Sequence, residues 1–70
     1  MNKIEWCLFP EVIPKSLENY LVTYLDKDNK KQVTVGWLIG TRWYYKHNNV
    51  MERIQGVIAF AKLPEPYTVD

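Results

Sequence analysis

The clearest pattern of apolar and polar positions runs from residue 19 to residue 39. Residues 19–25, Asn-Tyr-Leu-Val-Thr-Tyr-Leu, are rich in β-branched and aromatic side chains, which favour a strand. A polar stretch at 26–31 follows and contains turn-forming Asp and Asn. Residues 32–39 then alternate with the period of a half-buried strand, and one face holds Val33, Val35, Trp37 and Ile39. The pattern predicts a β-hairpin over about residues 19–39, with this face in the core.

Two more strands are predicted towards the end of the chain. After a tight reversal at Gly40-Thr41, residues 42–46, Arg-Trp-Tyr-Tyr-Lys, form the third strand candidate. A turn-like His47-Asn48-Asn49 ends it. Residues 57–63 form the fourth strand candidate, and because both of its faces are apolar we expect it to be central in the sheet.

Two segments interrupt this regular pattern. Residues 50–55 fit either a single helical turn or a strand, with Gly56 as a helix C-cap or a β-bulge. Prolines lack a backbone donor, so residues 10–15, which begin at Pro10, predict a loop or an edge segment. The expected fold is mainly β, with α+β as the alternative. It is a small single-domain antiparallel sheet of about four strands over residues 1–70, curled or barrel-like, with at most one short helical turn.

The composition indicates how so small a sheet is stabilised. One Cys and one His among 70 residues allow neither an intramolecular disulfide nor a four-ligand zinc site. Burial of three Trp, five Tyr and two Phe remains as the main source of stability, with homodimerisation as the second possibility. We therefore expect a core built from Trp6, Trp37 and Trp43 together with Leu21, Val35, Ile39, Ile58, Phe60 and Leu63.

The charge balance gives no strong indication of a partner. The formal net charge of +1 provides no overall attraction to nucleic acid or to an anionic membrane. No run approaches the roughly 20 apolar residues of a membrane span, and residues 1–5 do not resemble the start of a signal peptide. A free cysteine fits a reducing compartment. These features predict a soluble cytoplasmic protein with no membrane partner.

An ordered set of short motifs spans nearly the whole chain. The motifs are Trp6, Ile13-Pro14, Tyr20-Leu21-Val22, Val35-Gly36-Trp37, Gly40-Thr41-Arg42-Trp43-Tyr44, Val57 and Leu63-Pro64-Glu65-Pro66. Their order resembles the small phage and prophage family known as domain of unknown function 551. The resemblance implies a small fold and a mobile-element setting, and hence the cytoplasm of a bacterial host. It carries no assigned activity.

The chain departs from this family pattern near its closing strand. Where members of the family have Thr-His-Trp, this chain has Ile58-Ala59-Phe60, and where they have Met-Pro it has Ala61-Lys62. The apolar positions keep their order while the histidine is lost. The shared pattern therefore favours an architectural role over a catalytic one.

Few residues suggest catalysis or a cofactor. His47 lies in the predicted surface turn, and Cys7 lies in an apolar run where a buried thiol is inert. A Cys–His nucleophile pair would need a third, orienting residue, and none is evident. We expect a protein that is not an enzyme and has no catalytic residues, no cofactor and no metal site.

The candidate binding surface is formed by Arg42, Tyr44 and Lys46 on the third predicted strand. Alternation sends these three to one side, while Trp43 and Tyr45 point to the other. Interleaved aromatic and cationic residues suit single-stranded nucleic acid, although a Tyr between two solvated cations is also an ordinary surface feature. The basic residues at 27–31 share their turn with acids and predict a solubilising hairpin tip. Residues 64–67 are expected to lie against the domain and cover a sheet edge.

Three functions follow as hypotheses. The first is a non-enzymatic phage- or prophage-derived accessory protein that binds another macromolecule, most simply a host protein. The second is a weak single-stranded nucleic-acid-binding module that uses Arg42, Tyr44 and Lys46. The third is a self-associating structural module.

Overall fold

The computed structural model describes residues 4–64, which form one small β-sheet domain of six strands. The strands are β1 (Cys7–Leu8), β2 (Tyr20–Leu25), β3 (Lys31–Ile39), β4 (Arg42–His47), β5 (Val50–Ile54) and β6 (Val57–Lys62). All neighbours pair antiparallel, in the order β1-β6-β2-β3-β4-β5. The predicted mainly β, antiparallel class is confirmed.

The predicted strands are found close to their expected bounds. Strands β2 and β3 form the hairpin expected over residues 19–39, and β4 is the third predicted strand. The fourth predicted strand is β6, and it is central because it lies between β1 and β2. The count of about four strands is wrong. Strand β1 is too short to give a periodic signal, and β5 occupies the ambiguous segment.

Residues 50–54 form a strand because of the turn that precedes them. Asn48 and Asn49 both have positive φ, 49° and 62°, which is the backbone of a two-residue hairpin turn. This turn places β5 antiparallel to β4, with His47 opposite Val50. The alternative of a helical turn is wrong, and no helix occurs anywhere in residues 4–64.

Strand β3 belongs to both halves of the sheet. Its residues 31–36 pair with β2, whereas its residues 37–39 pair with β4. Gly36 lies at the changeover, where a Cβ atom would come 2.6 Å from the carbonyl oxygen of Tyr44 and 2.8 Å from Cδ1 of Ile54. The absence of a side chain thus allows the β4–β5 hairpin to fold over the strand.

The sheet is strongly curled. The ring of Trp43 on β4 lies 5.8 Å, between ring centroids, from that of Phe60 on β6, although β2 and β3 separate these strands in the sheet. Tyr20 and Phe9 approach Trp43 edge-to-face at 6.3 and 5.4 Å. The buried cluster at the concave side consists of Tyr20, Val22, Leu38, Trp43, Ile54 and Phe60. We call the face that carries this cluster the inner face.

The predicted core is correct only in part. Trp43 and Phe60 are buried as expected, whereas Trp37, Leu21 and Ile58 are half-buried. The predictions for Trp6, Val35, Ile39 and Leu63 are wrong, since all four are exposed.

The error on β3 has a physical cause. Leu38 lies opposite Trp43 and points to the inner face, and Gly36 is also buried on that face. Val35, Trp37 and Ile39, which alternate with them, therefore point outwards. The face assignment of the strand is therefore inverted. The edge-covering role predicted for residues 64–67 lies almost entirely outside the described residues.

Candidate functional site

The convex side of the sheet, which we call the outer face, can be traced through the strand register. Side chains directly opposite each other on paired strands lie on the same face. The outer face carries Leu8 of β1, Ala59 and Ala61 of β6, Leu21, Thr23 and Leu25 of β2, Lys31, Val33, Val35, Trp37 and Ile39 of β3, Arg42, Tyr44 and Lys46 of β4, and Met51 and Arg53 of β5. Its residues are apolar, aromatic or cationic, apart from one threonine.

The charged residues of the outer face all have one sign. They are Lys31, Arg42, Lys46 and Arg53, and none of the strand positions on this face is an Asp or Glu. Carboxylates of the described residues lie elsewhere: Asp26 and Asp28 in the β2–β3 turn, Glu52 opposite Tyr45, and Glu5, Glu11 and Glu18 in the segments flanking β1. The near-zero net charge thus hides an uneven distribution, because the cations of the strands are concentrated on one face.

The structure places the three predicted binding residues together. Arg42, Tyr44 and Lys46 alternate along β4 and all belong to the outer face, as the sequence pattern predicted. Their side chains project at intervals of about 6.8 Å, the spacing of alternate residues in a strand. Their role in binding remains a prediction.

Two neighbours of Tyr44 were not recognised from the sequence. Trp37 lies directly opposite Tyr44 on β3, and Arg53 lies directly opposite it on β5. Trp37 had been assigned to the core, and Arg53 stands in the segment whose secondary structure was ambiguous. Only the register of three strands shows that they form one row. We call Trp37, Arg42, Tyr44, Lys46 and Arg53 the aromatic–cationic patch.

Next to this patch the outer face is aliphatic. Val33 is 58% exposed and Val35 45%, while Ile39 and Leu8 are also exposed. Val35 lies opposite Leu21, and Val33 lies opposite Thr23. We call Leu21, Val33 and Val35, which are opposite or alternate neighbours in the register, the aliphatic patch. Exposed apolar side chains that adjoin one another in this way are typical of an interaction surface.

The β2–β3 hairpin tip is held by one carboxylate. The Asp26 carboxylate accepts hydrogen bonds from the backbone N–H of Lys30 at 3.0 Å, the amide of Gln32 at 3.0 Å and the backbone N–H of Asp28 at 2.8 Å. These bonds, that of Lys30 foremost, lower the pKa of Asp26 below its usual value. The Asp26 carboxylate therefore has a structural role, and the tip is polar as predicted.

Two tyrosines donate to carboxylates. The Tyr20 hydroxyl donates to Glu18 at 3.1 Å, and burial followed by this hydrogen bond raises the Tyr20 pKa. The Tyr45 hydroxyl donates to Glu52 across β4 and β5 at 2.9 Å, and this bond raises the Tyr45 pKa. Both phenols thus stay protonated donors at neutral pH, and both belong to the inner side of the sheet.

The two residues considered for nucleophilic chemistry lie on different strands. His47 is exposed at the end of β4, and its Nε2 lies 3.3 Å from Nδ2 of Asn48. Cys7 is half-buried and lies opposite Phe60. Across residues 4–64, no three His, Cys, Asp or Glu side chains are grouped so as to hold a metal ion. In the same part of the chain, no helix has the length and apolar character needed to cross a membrane.

The surface of residues 4–64 includes a smaller and a larger groove. One, of about 360 Å³, borders Trp43, Arg53 and Phe9 at the ends of β4 and β5. Trp43 is almost fully buried, and within residues 4–64 its indole N–H finds no hydrogen-bond acceptor. The other groove, of about 1090 Å³, lies between the segment around β1 and the end of β6. Glu5, Cys7, Lys15 and Glu18 are among the residues that line this second groove.

No protein-family model, curated protein or solved structure matches this chain. The resemblance to domain of unknown function 551 therefore stays a prediction, as do the phage setting and the host cytoplasm. The properties of the outer face have to be argued from its own residues.

Proposed function

We propose that this protein is a non-enzymatic binding module that uses the outer face of its sheet to bind another macromolecule. The observation that supports the proposal is the composition of that face, which combines apolar and aromatic residues with cations and has no acidic strand position. A face that served only to keep the domain soluble would mix both charge signs.

The exposed aliphatic side chains support a contact surface over a purely solvated one. Val33 and Val35 lie on the part of β3 that pairs with β2 and not with β4, and both side chains are exposed. Burial of each of these adjoining β-branched side chains would contribute about 1.5–3 kcal/mol. A partner that covers this face would recover that free energy.

The sequence suggests a host protein as the partner. Small phage proteins can act by occluding a site on a protein of the host, and the resemblance to a phage and prophage family makes that role an analogy for this chain. The outer face adds a chemical condition, because its partner must present an anionic surface beside apolar groups. A host protein with an acidic surface and a nucleic acid both satisfy this condition.

Capture from a bacterial lysate tests whether the outer face binds anything. The tagged protein is compared with Arg53→Glu and Val35→Asp, which change exposed outer-face residues, and with Lys62→Glu. The control makes the same charge change as Arg53→Glu at an exposed residue that lies opposite Tyr20, off the outer face. We expect a saturable partner that both outer-face variants lose and the control retains.

Folding of each variant is checked by circular dichroism before capture. Capture that is equal for the wild-type protein and both outer-face variants would place the binding surface elsewhere. A folded protein that retains no saturable partner would contradict the proposal as a whole.

The aliphatic patch favours self-association as a second candidate function. Two copies that cover Val33 and Val35 against each other would bury two exposed apolar residues of the part of β3 that pairs with β2 alone. Sedimentation equilibrium over a concentration series tests this, with Val35→Lys as the disrupting variant. A monomer at all concentrations would remove this candidate and leave binding of another macromolecule.

A further inference from the structure

We infer that the aromatic–cationic patch binds single-stranded nucleic acid, an inference that rests on the outer face being the binding surface proposed above. The inference names the partner class by chemistry. Three features of the patch carry it: the row of rings, the arrangement of cations around them and the absence of carboxylates among its strand positions.

The rings come first, because they are the groups that bases can stack on. Trp37 and Tyr44 are directly opposite each other on β3 and β4, and each is half-buried. A half-buried ring is held by its neighbours and still offers part of its surface to a ligand. Every base has a π-face, so two adjoining rings on an open sheet provide a stacking platform that does not depend on sequence.

Cationic side chains lie next to these rings, where they could contact the phosphates of a strand whose bases stack on the rings. Arg53 lies directly opposite Tyr44, and Arg42 and Lys46 flank it along β4. A strand of nucleic acid whose bases stack on the rings would thus have a guanidinium or ammonium group on several sides to receive its phosphates.

The uniformly positive charge of the outer face favours nucleic acid over most protein surfaces as its partner. A general protein interface carries both acids and bases and is depleted of charge at its centre. The strand positions of the outer face carry cations alone, next to the aromatic pair, which suits a partner that is anionic along its length and aromatic throughout. An acidic host protein is the alternative that the experiment must separate.

The patch also favours a single strand over a duplex. Bases of a duplex are already stacked and paired, so their faces are not available to Trp37 and Tyr44. The patch lies on a sheet face, and residues 4–64 contain no helix that could enter a groove beside it. Binding is expected to be modest, since the net charge of the whole chain is only +1.

The test is a titration of fluorescein-labelled 12-nucleotide oligo(dT) and a mixed-sequence RNA of the same length, followed by anisotropy. Three phosphate contacts predict a slope of about −2 in a plot of log affinity against log salt. The affinity should then fall about twentyfold between 50 and 200 mM salt. A duplex of the same length should compete poorly with either single strand.

Variants separate stacking from simple charge attraction. Tyr44→Ala should weaken binding about fivefold to a hundredfold, the usual effect of removing one stacking ring. Arg53→Glu should weaken binding and make the salt slope shallower by about 0.7 or more. The matched control, Lys62→Glu, carries the same charge change off the outer face and should stay within about twofold of wild type at 200 mM salt.

Tryptophan fluorescence gives an independent readout that a merely structural change would not produce. Unlabelled oligonucleotide should quench part of the emission of the wild-type protein, because a base stacks on the ring of Trp37. Trp37→Phe should lose this quenching while the emission of the buried Trp43 reports that the domain is folded.

The outcomes distinguish this inference from the proposed function. A flat titration at 50 mM salt with folded protein overturns the inference, as does binding that Lys62→Glu weakens as much as Arg53→Glu. If capture from nuclease-treated lysate still depends on Arg53, the partner is a protein, so the proposed function stands and this inference fails. If capture and titration both fail, both proposals are wrong.

Discussion

Trp43 and Trp37 lie on neighbouring strands but on opposite faces of the same sheet, and their surroundings differ in every respect. Trp43 is 2% exposed and touches the rings of Phe9, Tyr20 and Phe60. Trp37 is half-buried, lies opposite Tyr44 and has Arg53 in the same row. One ring fills the concave interior of the curl, and the other lies on its convex surface. The same residue type therefore stabilises the fold on one face and is available for contact on the other.

The inner face is closed by ring-on-ring contacts. Tyr20 and Phe60 meet edge-to-face at 5.5 Å, and Trp43 packs against both. Edge-to-face geometry aligns the positive edge of one ring with the negative face of another, and each pair adds about 0.5–1.5 kcal/mol to the burial itself. The outer face has no such closed cluster among its strand positions, and it is there that the cations are found.

The largest expected difference between the faces is in the two tryptophans. Trp43→Ala should lower the free energy of unfolding by about 3–5 kcal/mol, because it removes the centre of the buried cluster. The total free energy of unfolding of a domain of this size is about 3–5 kcal/mol, so the variant should be largely unfolded at room temperature. Trp37→Ala should cost about 1 kcal/mol. Urea denaturation followed by circular dichroism measures both, and equal losses would contradict the assignment of faces.

A second pair of variants tests the faces of β3 with adjacent residues. Leu38→Ala should cost about 2–5 kcal/mol, because Leu38 is 1% exposed and lies opposite Trp43. Ile39→Ala removes a similar number of methyl groups from an exposed position and should cost about 1 kcal/mol or less. If Ile39→Ala proves the more damaging of the two in thermal melts, the alternation of this strand is the one originally expected from the sequence.

A third comparison uses two glycines: Gly36, where the pairing of β3 changes from β2 to β4, and Gly40 in the turn after β3. Gly36→Ala should cost about 1–3 kcal/mol, because its Cβ would press on the carbonyl of Tyr44 and the end of Ile54. A Cβ atom at Gly40 would meet open space, so Gly40→Ala should cost only about 1 kcal/mol, which comes from the positive φ of 65° at this position. A displaced β4 should also alter the emission of Trp43 in Gly36→Ala alone. Unchanged stability and emission in that variant would show that the hairpin does not close on Gly36.

The smallest expected effect concerns the hairpin tip and its pH dependence. Folding lowers the pKa of Asp26, so its contribution to stability is complete above the usual pKa of 3.8 and is lost as the pH falls through the lower folded value. Asp26→Asn should reduce this acid sensitivity in urea midpoints measured between pH 7 and pH 2. Asp28→Asn keeps the backbone N–H that donates to the Asp26 carboxylate, so this variant should retain the wild-type dependence of stability on pH. Identical pH profiles for all three proteins would mean that the turn does not depend on the Asp26 carboxylate.

Much of the fold was accessible from local patterns, and the candidate site only in part. The hairpin of β2 and β3, the strand β4 and the central β6 all have either clear alternation or a continuous apolar run. Strand β5, Val-Met-Glu-Arg-Ile, has no clear period, and it becomes a strand because the turn at Asn48 and Asn49 pairs it with β4. Arg53 joins Arg42, Tyr44 and Lys46 only through this pairing, so the sequence could not include it in the patch.

The sequence by itself determined the β class, the hairpin of β2 and β3 and which residues share a face along the predicted strands, because the period of two is a property of the extended backbone. It did not determine which face is inside. On β3 the set of Val33, Val35, Trp37 and Ile39 is more apolar than the set that contains Gly36 and Leu38, and pattern alone favours burying the larger set. The tertiary structure buries the other one, because Gly36 leaves room for the β4–β5 hairpin to close over Leu38. Trp43, Tyr20 and Phe60 then fill the interior of the curl from distant parts of the chain. The face that is buried thus depends on side-chain volume and on the close approach of the β4–β5 hairpin to Gly36, neither of which can be read from the alternation. The more apolar face of β3 stays exposed to possible partners.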